Sequence, residues 1–410
     1  MSIKSIEYRE IPANKPFYLL LAVLAAVVVL GAMAFFYMEH HGHYVSGMNN
    51  QIVWGLPHVF AIFLIVSASG VLNISTIGSV FGKSIYQPLG RFSALVAMSL
   101  LVGGLMILVL DLGRPDRLII AMTHYNFKSI FAWNIILYNG FLVLSVLSIW
   151  TMMDRKMKPF YKVIGFAAFA WRLILTMGTG SIFGFLVARQ YYDAAIMAPL
   201  FIAMSFALGL ALFLLILLAA YRLTERELGD VVLNRLRYLL AVFIGAVLLL
   251  ELARQLTNLY ATEHHGVEAF MLWDGGIYTW MFWLGQIVLG SLLPFGLIFC
   301  RFLKNNSWAV IAAAALVVFG GLMQIYVILI GGQAYPLVLF PGAEMQSAYF
   351  DGETYNYVPS VWEWMLGLGG VALALLFVTV GVKILRFMPV SLADELVDPH
   401  HLNCTRPNLI

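Results

Sequence analysis

Charge is what this chain has least of. Lys, Arg, Asp and Glu make up 11% of its 410 residues, against about a quarter in an ordinary soluble domain. With 62% hydrophobic residues and a mean hydropathy of +0.89, it is too apolar to be coated as a soluble fold. A net charge of +3 over this length offers no basic face to a nucleic acid. Cysteine is nearly missing: Cys300 and Cys404 cannot supply the roughly four thiolates of an iron–sulfur cluster. Neither falls in a segment expected on the outer side, so no structural disulfide is implied. Of nine histidines only His58 lies inside an apolar run, which leaves no facing pair to hold a b-type haem. No phosphate-cradling glycine loop is present either; the glycines sit within apolar runs, where they permit close helix packing. If such a chain handles electrons, it must borrow its redox centres from partners.

What is abundant is long apolar sequence. About 20 apolar residues cross a bilayer core, and ten segments qualify: roughly 17–38, 53–81, 92–111, 130–152, 160–188, 196–221, 238–260, 278–300, 309–333 and 360–385. The expected fold is therefore all-α, a polytopic membrane protein of ten transmembrane helices in a single integral membrane domain, 1–410. Alternate loops are unequal in positive charge. One side carries 18 Lys and Arg, among them Lys4, Arg155, Lys156, Lys158, Lys162, Arg235, Arg237, Lys304 and Arg406. The other carries five, Arg114, Arg117, Lys128, Arg189 and Arg254, and Arg172 lies within a span. That bias places both termini in the cytoplasm. A cleaved signal peptide is the rival reading of the first segment, because Ala32-Met33-Ala34 resembles a cleavage site. The apolar run continues through Phe35, Phe36, Tyr37 and Met38, which favours a retained helix.

Two of the apolar runs end alike. Asp111-Leu112-Gly113-Arg114 closes the third and Glu251-Leu252-Ala253-Arg254 the seventh, 140 positions later. An acid and an arginine three apart share a helix face and can neutralise each other. Pairing Leu56-Pro57-His58-Val59-Phe60 with Ala198-Pro199-Leu200-Phe201-Ile202 then aligns spans two to five with spans six to nine. The expected organisation is two parallel four-helix repeats, 53–188 and 196–333. They are flanked by the first helix and outer loop (1–52) and by an outer loop, tenth helix and tail (334–410). Chance likeness between apolar helices is the alternative.

His58 lies one to two turns below the outer surface, after Trp54 and Pro57, and Asp111 sits at a similar depth. An imidazole and a desolvated carboxylate at matched depth can take up and release two protons. The plain alternative is a capping histidine and an ion pair closing a helix end. Other in-span polar groups are Asn73, Asn134, Asn139, Gln255, Gln286, Gln324 and Glu363, expected as interhelical hydrogen bonds. Arg172 near mid-depth needs a buried acid or water; Glu251 or Asp111 are candidates, and Arg172, Glu251 and Arg254 become candidates for a proton path. The clusters Glu39-His40-His41-Gly42-His43 and Glu263-His264-His265-Gly266 read as solvated surface rather than as metal sites. The outer loop 334–358, with Tyr335, Tyr349, Tyr355, Tyr357, Glu344, Asp351 and Glu353, suits a docking surface. Trp362 and Trp364 read as interfacial anchors.

Met48-Asn49-Asn50-Gln51-Ile52-Val53-Trp54-Gly55-Leu56-Pro57-His58 and Leu110-Asp111-Leu112-Gly113-Arg114-Pro115 resemble the NrfD/PsrC family of quinone-interacting membrane subunits. Within it, the likeness is to the DsrP branch found in the DsrMKJOP complexes of sulfur-metabolising prokaryotes. The resemblance implies a haem-free site for menaquinone or ubiquinone, as quinone or quinol, near the outer face. It implies that Trp54, His58 and Asp111 hold the ring, that His58 and Asp111 handle protons, and that Arg114 fixes the acid's charge. It also implies four partners: a periplasmic ferredoxin-like iron–sulfur subunit (DsrO-like), a multihaem cytochrome c (DsrJ-like), a haem b membrane subunit (DsrM-like) and a cytoplasmic iron–sulfur subunit (DsrK-like). A secondary transporter using the same buried charges, or a structural membrane anchor, are the competing readings.

Overall fold

A computed structural model describes residues 6–303, 306–337 and 353–397. Lys4, Lys304, Glu344, Tyr349, Asp351, Cys404 and Arg406, all singled out above, lie outside the described residues. Ten helices among the described residues are long and apolar enough to cross a bilayer. They are α1 (Lys15–His41), α2 (Leu56–Ser79), α3 (Ser84–Leu110), α4 (Ile130–Met153), α5 (Arg155–Gly184), α6 (Met197–Leu223), α7 (Asp230–Tyr260), α8 (Ile277–Phe299), α9 (Ser307–Ala334) and α10 (Val361–Ile384). The chain is an all-α polytopic membrane protein, as its composition requires. Backbone amides and carbonyls have no water to turn to in hydrocarbon, so each crossing must satisfy them within its own helix. The clearest departure from the sequence reading is α7, which starts at Asp230 rather than near 238. Its first two turns are too polar to register as apolar, yet they remain helical. Arg237 there is buried and donates to the Ile298 carbonyl.

Helices α2, α3, α4 and α5 pack as one ring, each against the next and α5 back on α2; α6 to α9 form a second ring of the same order. The rings meet where α2 crosses α6. A Cβ on Gly70 would strike the Ser205 carbonyl, and one on Gly209 would strike the Gly70 backbone. Two glycines thus set how closely these helices approach, the device by which lipid-embedded helices gain packing without a hydrophobic drive. Helix α2 ends up central, 89% buried over its span, whereas α1 is 17% buried and lies against α10 at the lipid edge.

The two ends of the bundle differ. At one end the N-terminal segment and the segment after α10 are tied together. Arg9 N donates to Met388 O (3.1 Å), Val390 N to Glu7 O (2.8 Å), and Arg226 donates to Glu10 O (2.9 Å). A two-residue parallel pair, β1 (Glu227–Leu228) with β2 (Ser391–Leu392), completes this end. At the other end residues 42–55, 111–129, 185–196 and 261–276 form the connecting loops.

Candidate functional site

The loop-rich end holds the site, and its geometry begins with how α2 starts. Pro57 occupies the first turn, where its fixed φ suits a helix and its missing N–H costs nothing. The segment leading into it has no regular structure, so its backbone groups are satisfied by side chains from distant helices. The Gln333 side chain accepts from Val53 N (2.9 Å) and Trp54 N (3.1 Å) and donates to Trp54 O (3.0 Å). Arg189 donates to Gln333 O (3.0 Å) and Gln51 O (2.9 Å). Leu56 N donates to the Tyr357 hydroxyl (2.8 Å), which donates to Glu363. Glu363 also accepts from Gly47 N (2.8 Å) and Ser360 N (2.7 Å). Helices α9 and α10 therefore clamp the entry to α2.

Asp111 caps the end of α3, its N–H bonded to Ile107 O (3.0 Å). Gly113 then takes φ +68, a left-handed turn that a side chain resists. A Cβ there would also press on the His43 ring at 3.2 Å. This turn brings three side chains together. His58 Nδ1 lies 2.9 Å from Asp111 Oδ2, and His43 Nδ1 lies 3.9 Å from Asp111 Oδ1. The Asp111 side chain is 1% exposed, yet neither oxygen has an aligned hydrogen bond among the described residues; the His58 contact has the distance of an ion pair without the N–H aimed along it. A buried carboxylate with both oxygens unfilled is costly unless a ligand or water completes it. Asp111 stands in the wall of an open cleft of about 360 Å³, lined also by His43, Tyr44, Met48, Asn49, Val53, His58 and Leu112. That size is within the roughly 300–1,000 Å³ of small-molecule sites.

The structure thus brings His58 and Asp111 together and adds His43, which the sequence reading placed on solvated surface. The signal for His43 was weak because nothing in a Glu-His-His-Gly-His run says which ring turns inward. Two expected members are not there. Arg114 is exposed and pairs with Asp116 (3.2 Å), not with Asp111, because α3 ends at Leu110 and the Gly113 turn beyond it carries Arg114 away from the i,i+3 position. Trp54 does not line the cleft; its ring lies among Phe131 (6.3 Å), Phe183 (5.9 Å) and Tyr192 (6.5 Å) on the other side of α2.

In the second ring the acid–arginine pair does form, since α7 continues unbroken past it. Arg254 donates to Glu251 (2.9 Å) and to the Tyr191 hydroxyl (2.5 Å). Gln255 and Gln324 fill the remaining Glu251 sites at 2.7 and 3.1 Å. Arg172 joins neither acid. It lies fully buried on α5 over the Phe169 (4.7 Å) and Phe206 (5.5 Å) rings, with Nη1 3.5 Å from Ser69 O. The outer histidines divide as well. His264 turns in toward Asn258 (3.3 Å), whose amide donates to buried Glu268 (2.7 Å), while His265 bonds Leu259 O (2.9 Å). Of the tyrosines expected on a docking loop, Tyr357 is buried and structural. Trp362 stacks on Tyr37 at 3.9 Å, tying α10 to α1.

The described residues form a ten-helix membrane bundle with an open cleft of an acid and two histidines at its loop-rich end. The chain belongs to the NrfD polysulphide reductase family, whose profile matches residues 44–336. It is 28% identical over 405 residues to the Hdr-like menaquinol oxidoreductase integral membrane subunit of Archaeoglobus fulgidus, covering 96% of this chain and all of that one. It is 27% identical to a selenate reductase subunit of Mesobacillus selenatarsenatis, covering 88% of this chain and 92% of the other. To a polysulfide reductase polypeptide of Wolinella succinogenes it is 23% identical, covering 70% and 96%.

Proposed function

We propose that this chain is the haem-free membrane subunit of a respiratory or sulfur-metabolism redox complex, and that it binds quinone or quinol in the cleft between His43, His58 and Asp111. The observation that carries this reading is the unfilled Asp111 carboxylate in the wall of an open cleft, between two imidazoles. The name of the Archaeoglobus relative, a menaquinol oxidoreductase subunit, supports the ligand class. Oxidation of a quinol gives up two electrons and two protons. The ionised Asp111 accepts a hydrogen bond from one hydroxyl and then its proton. His58, in its neutral form, accepts the other and releases it at the open mouth beside His43 and Asn49. In the reverse direction the same groups supply protons. Met48, Val53 and Leu112 give the cleft an apolar wall for a ring. Arg114 serves the outer surface through Asp116, and Trp54 sets the packing of α2 rather than touching the ligand.

The electrons leave to an iron–sulfur partner on the outer side. By resemblance to the DsrP branch, the partners are a DsrO-like ferredoxin subunit, a DsrJ-like multihaem cytochrome c, a DsrM-like haem b subunit and a DsrK-like cytoplasmic subunit. The quinone is menaquinone or ubiquinone, and the chain sits in the prokaryotic cytoplasmic membrane with both termini inside. The two rings, 53–188 and 196–333, are copies of one ancestral unit; their like order of packing supports this. Titration of a short-chain naphthoquinone or benzoquinone into the chain in nanodiscs tests the site. Saturable binding that Asp111→Leu and His58→Leu each weaken at least tenfold is expected. Equal binding by wild type and both variants refutes it, and solute uptake by the chain alone in liposomes favours a transporter instead.

A further inference from the structure

At the terminal end of the first ring, far from His58, the ends of α2, α3, α4 and α5 surround a hollow of about 790 Å³. Its walls carry four cations, Arg91, Arg155, Lys158 and Lys162, against one acid, Asp154. Two of these five are already engaged in the fold. Arg91 donates to Met152 O (2.6 Å) and lies 4.2 Å over the Tyr8 ring, while Asp154 accepts from Lys156 N (2.9 Å) and caps the turn that follows. Arg155, Lys158 and Lys162 make no ion pair among the described residues. Ser79, Ser84 and Tyr161 add hydroxyls to the same wall. First-turn residues of both α3 and α5 line the hollow, so two helix dipoles add their positive ends.

Topology alone explains lysine and arginine in a loop, but not their convergence on a concave space with hydroxyl donors. Three exposed like charges around one hollow make a site that favours an anion between them. We propose that this hollow binds the phosphate headgroup of an anionic phospholipid. Phosphate supplies several strong acceptor oxygens, which match Arg, Lys and hydroxyl donors, and basic pockets between spans on the cytoplasmic side suit such headgroups. A lipid is favoured over a soluble phosphate because exposed aromatics adjoin the lining residues Thr151, Tyr161 and Gly82 in sequence. Trp150, Phe160 and Phe81 are 51%, 53% and 58% exposed close to the same end of the bundle, where acyl chains continue from the headgroup.

The test is native mass spectrometry of the full chain released from nanodiscs containing phosphatidylglycerol and phosphatidylcholine in equal amounts. Phosphatidylglycerol is expected to be retained at least tenfold over phosphatidylcholine. Neutralising Arg155, Lys158 and Lys162 to Gln is expected to weaken retention on the order of 100-fold, from about 1 kcal/mol per surface cation. Lys128→Gln, at the other end, leaves retention unchanged. Equal retention of the two lipids, or no effect of the triple change, overturns the proposal. Displacement of the lipid by millimolar inorganic phosphate overturns the lipid as source in favour of a free anion. If the triple variant does not fold, Lys158→Gln alone must lower retention several-fold while the helical circular dichroism stays intact.

Discussion

Replacing Asp111 with Asn is the sharpest perturbation the cleft allows. The amide keeps the volume of the carboxylate but removes its charge and its ability to take a proton. The fold should not notice, because Asp111 ends α3 through its backbone N–H to Ile107 and its side-chain oxygens hold no other element in place. The ligand contact should suffer, because the carboxylate is 1% exposed and 2.9 Å from His58. Losing a positioned acid–base group costs about 10²–10⁴-fold in rate. Quinol-analogue-dependent reduction of the iron–sulfur partner in membranes should fall by that factor, with unchanged thermal unfolding. His58→Gln should fall in the same range. His43→Gln should lose no more than about tenfold, since its Nδ1 is 3.9 Å away and its side chain 29% exposed. If Asp111 and His58 act as one unit, the double variant loses little beyond the worse single change. Asn at position 111 with activity within threefold of wild type would refute the reasoning, and simple multiplication of the two losses would refute the coupling.

Gln333→Leu leaves the Val53 and Trp54 amides without their acceptor; both bonds are only partly buried, so the loss is about 1 kcal/mol for each. A lower melting temperature and weaker quinone binding are expected together; an unchanged melting curve would show the clamp to be dispensable. Arg172→Met removes a buried guanidinium with no acid beside it, a group that alone costs roughly 2.5–3.5 kcal/mol at mid-bilayer. The variant should be at least as stable as wild type, and clear destabilisation in a thermal melt would reveal an anion or water chain serving Arg172. Glu268, in the loop after α7, has its carboxyl pushed above the usual range by burial, against the opposing Asn258 bond and Arg254 charge. The folded state then binds more protons than the unfolded one at pH values above its ordinary 4.5, so stability should fall as pH rises through that window. Glu268→Gln should flatten this slope and stabilise the protein at pH 8; a slope that persists points to another group.

The crossings were legible because bilayer hydrocarbon tolerates so little else. A run such as Leu19 to Leu30 has one stable environment and one stable conformation in it. The residues of the candidate cleft were half legible. His58 stands out as the lone histidine in an apolar run, and Asp111 as an acid closing another. What the sequence could not carry was direction. Arg114 shares the Asp-x-x-Arg spacing with Arg254, but α3 ends at Leu110 and the Gly113 turn beyond it sends Arg114 to Asp116. Trp54 lies four residues from His58, close in sequence, yet it precedes the helix and its ring falls on the opposite side. The clamp of Gln333, Tyr357 and Glu363 joins residues about 280 to 316 positions apart, and no local pattern announces such pairings.

The two rings make opposite use of similar parts, and this difference argues for where a ligand goes. In the second ring, the residue aligned with His58 is Leu200, and α7 runs on for two turns beyond Glu251. Glu251 is consequently met by Arg254, Gln255 and Gln324, so both of its carboxylate oxygens are filled from within the ring. In the first ring α3 stops at Asp111, a glycine replaces alanine at the third motif position, and the arginine is released. The acid then keeps a histidine on either side and no aligned hydrogen bond to either oxygen among the described residues. A buried acid costs the fold stability in either ring, but of Asp111 and Glu251 only Asp111 has neither oxygen in an aligned hydrogen bond among the described residues. Restoring helical continuity there with Gly113→Ala would crowd His43 at 3.2 Å and draw Arg114 toward Asp111. Such a variant should bind quinone more weakly and melt slightly lower, the left-handed turn being strained for alanine, because its first site would come to resemble the closed second one.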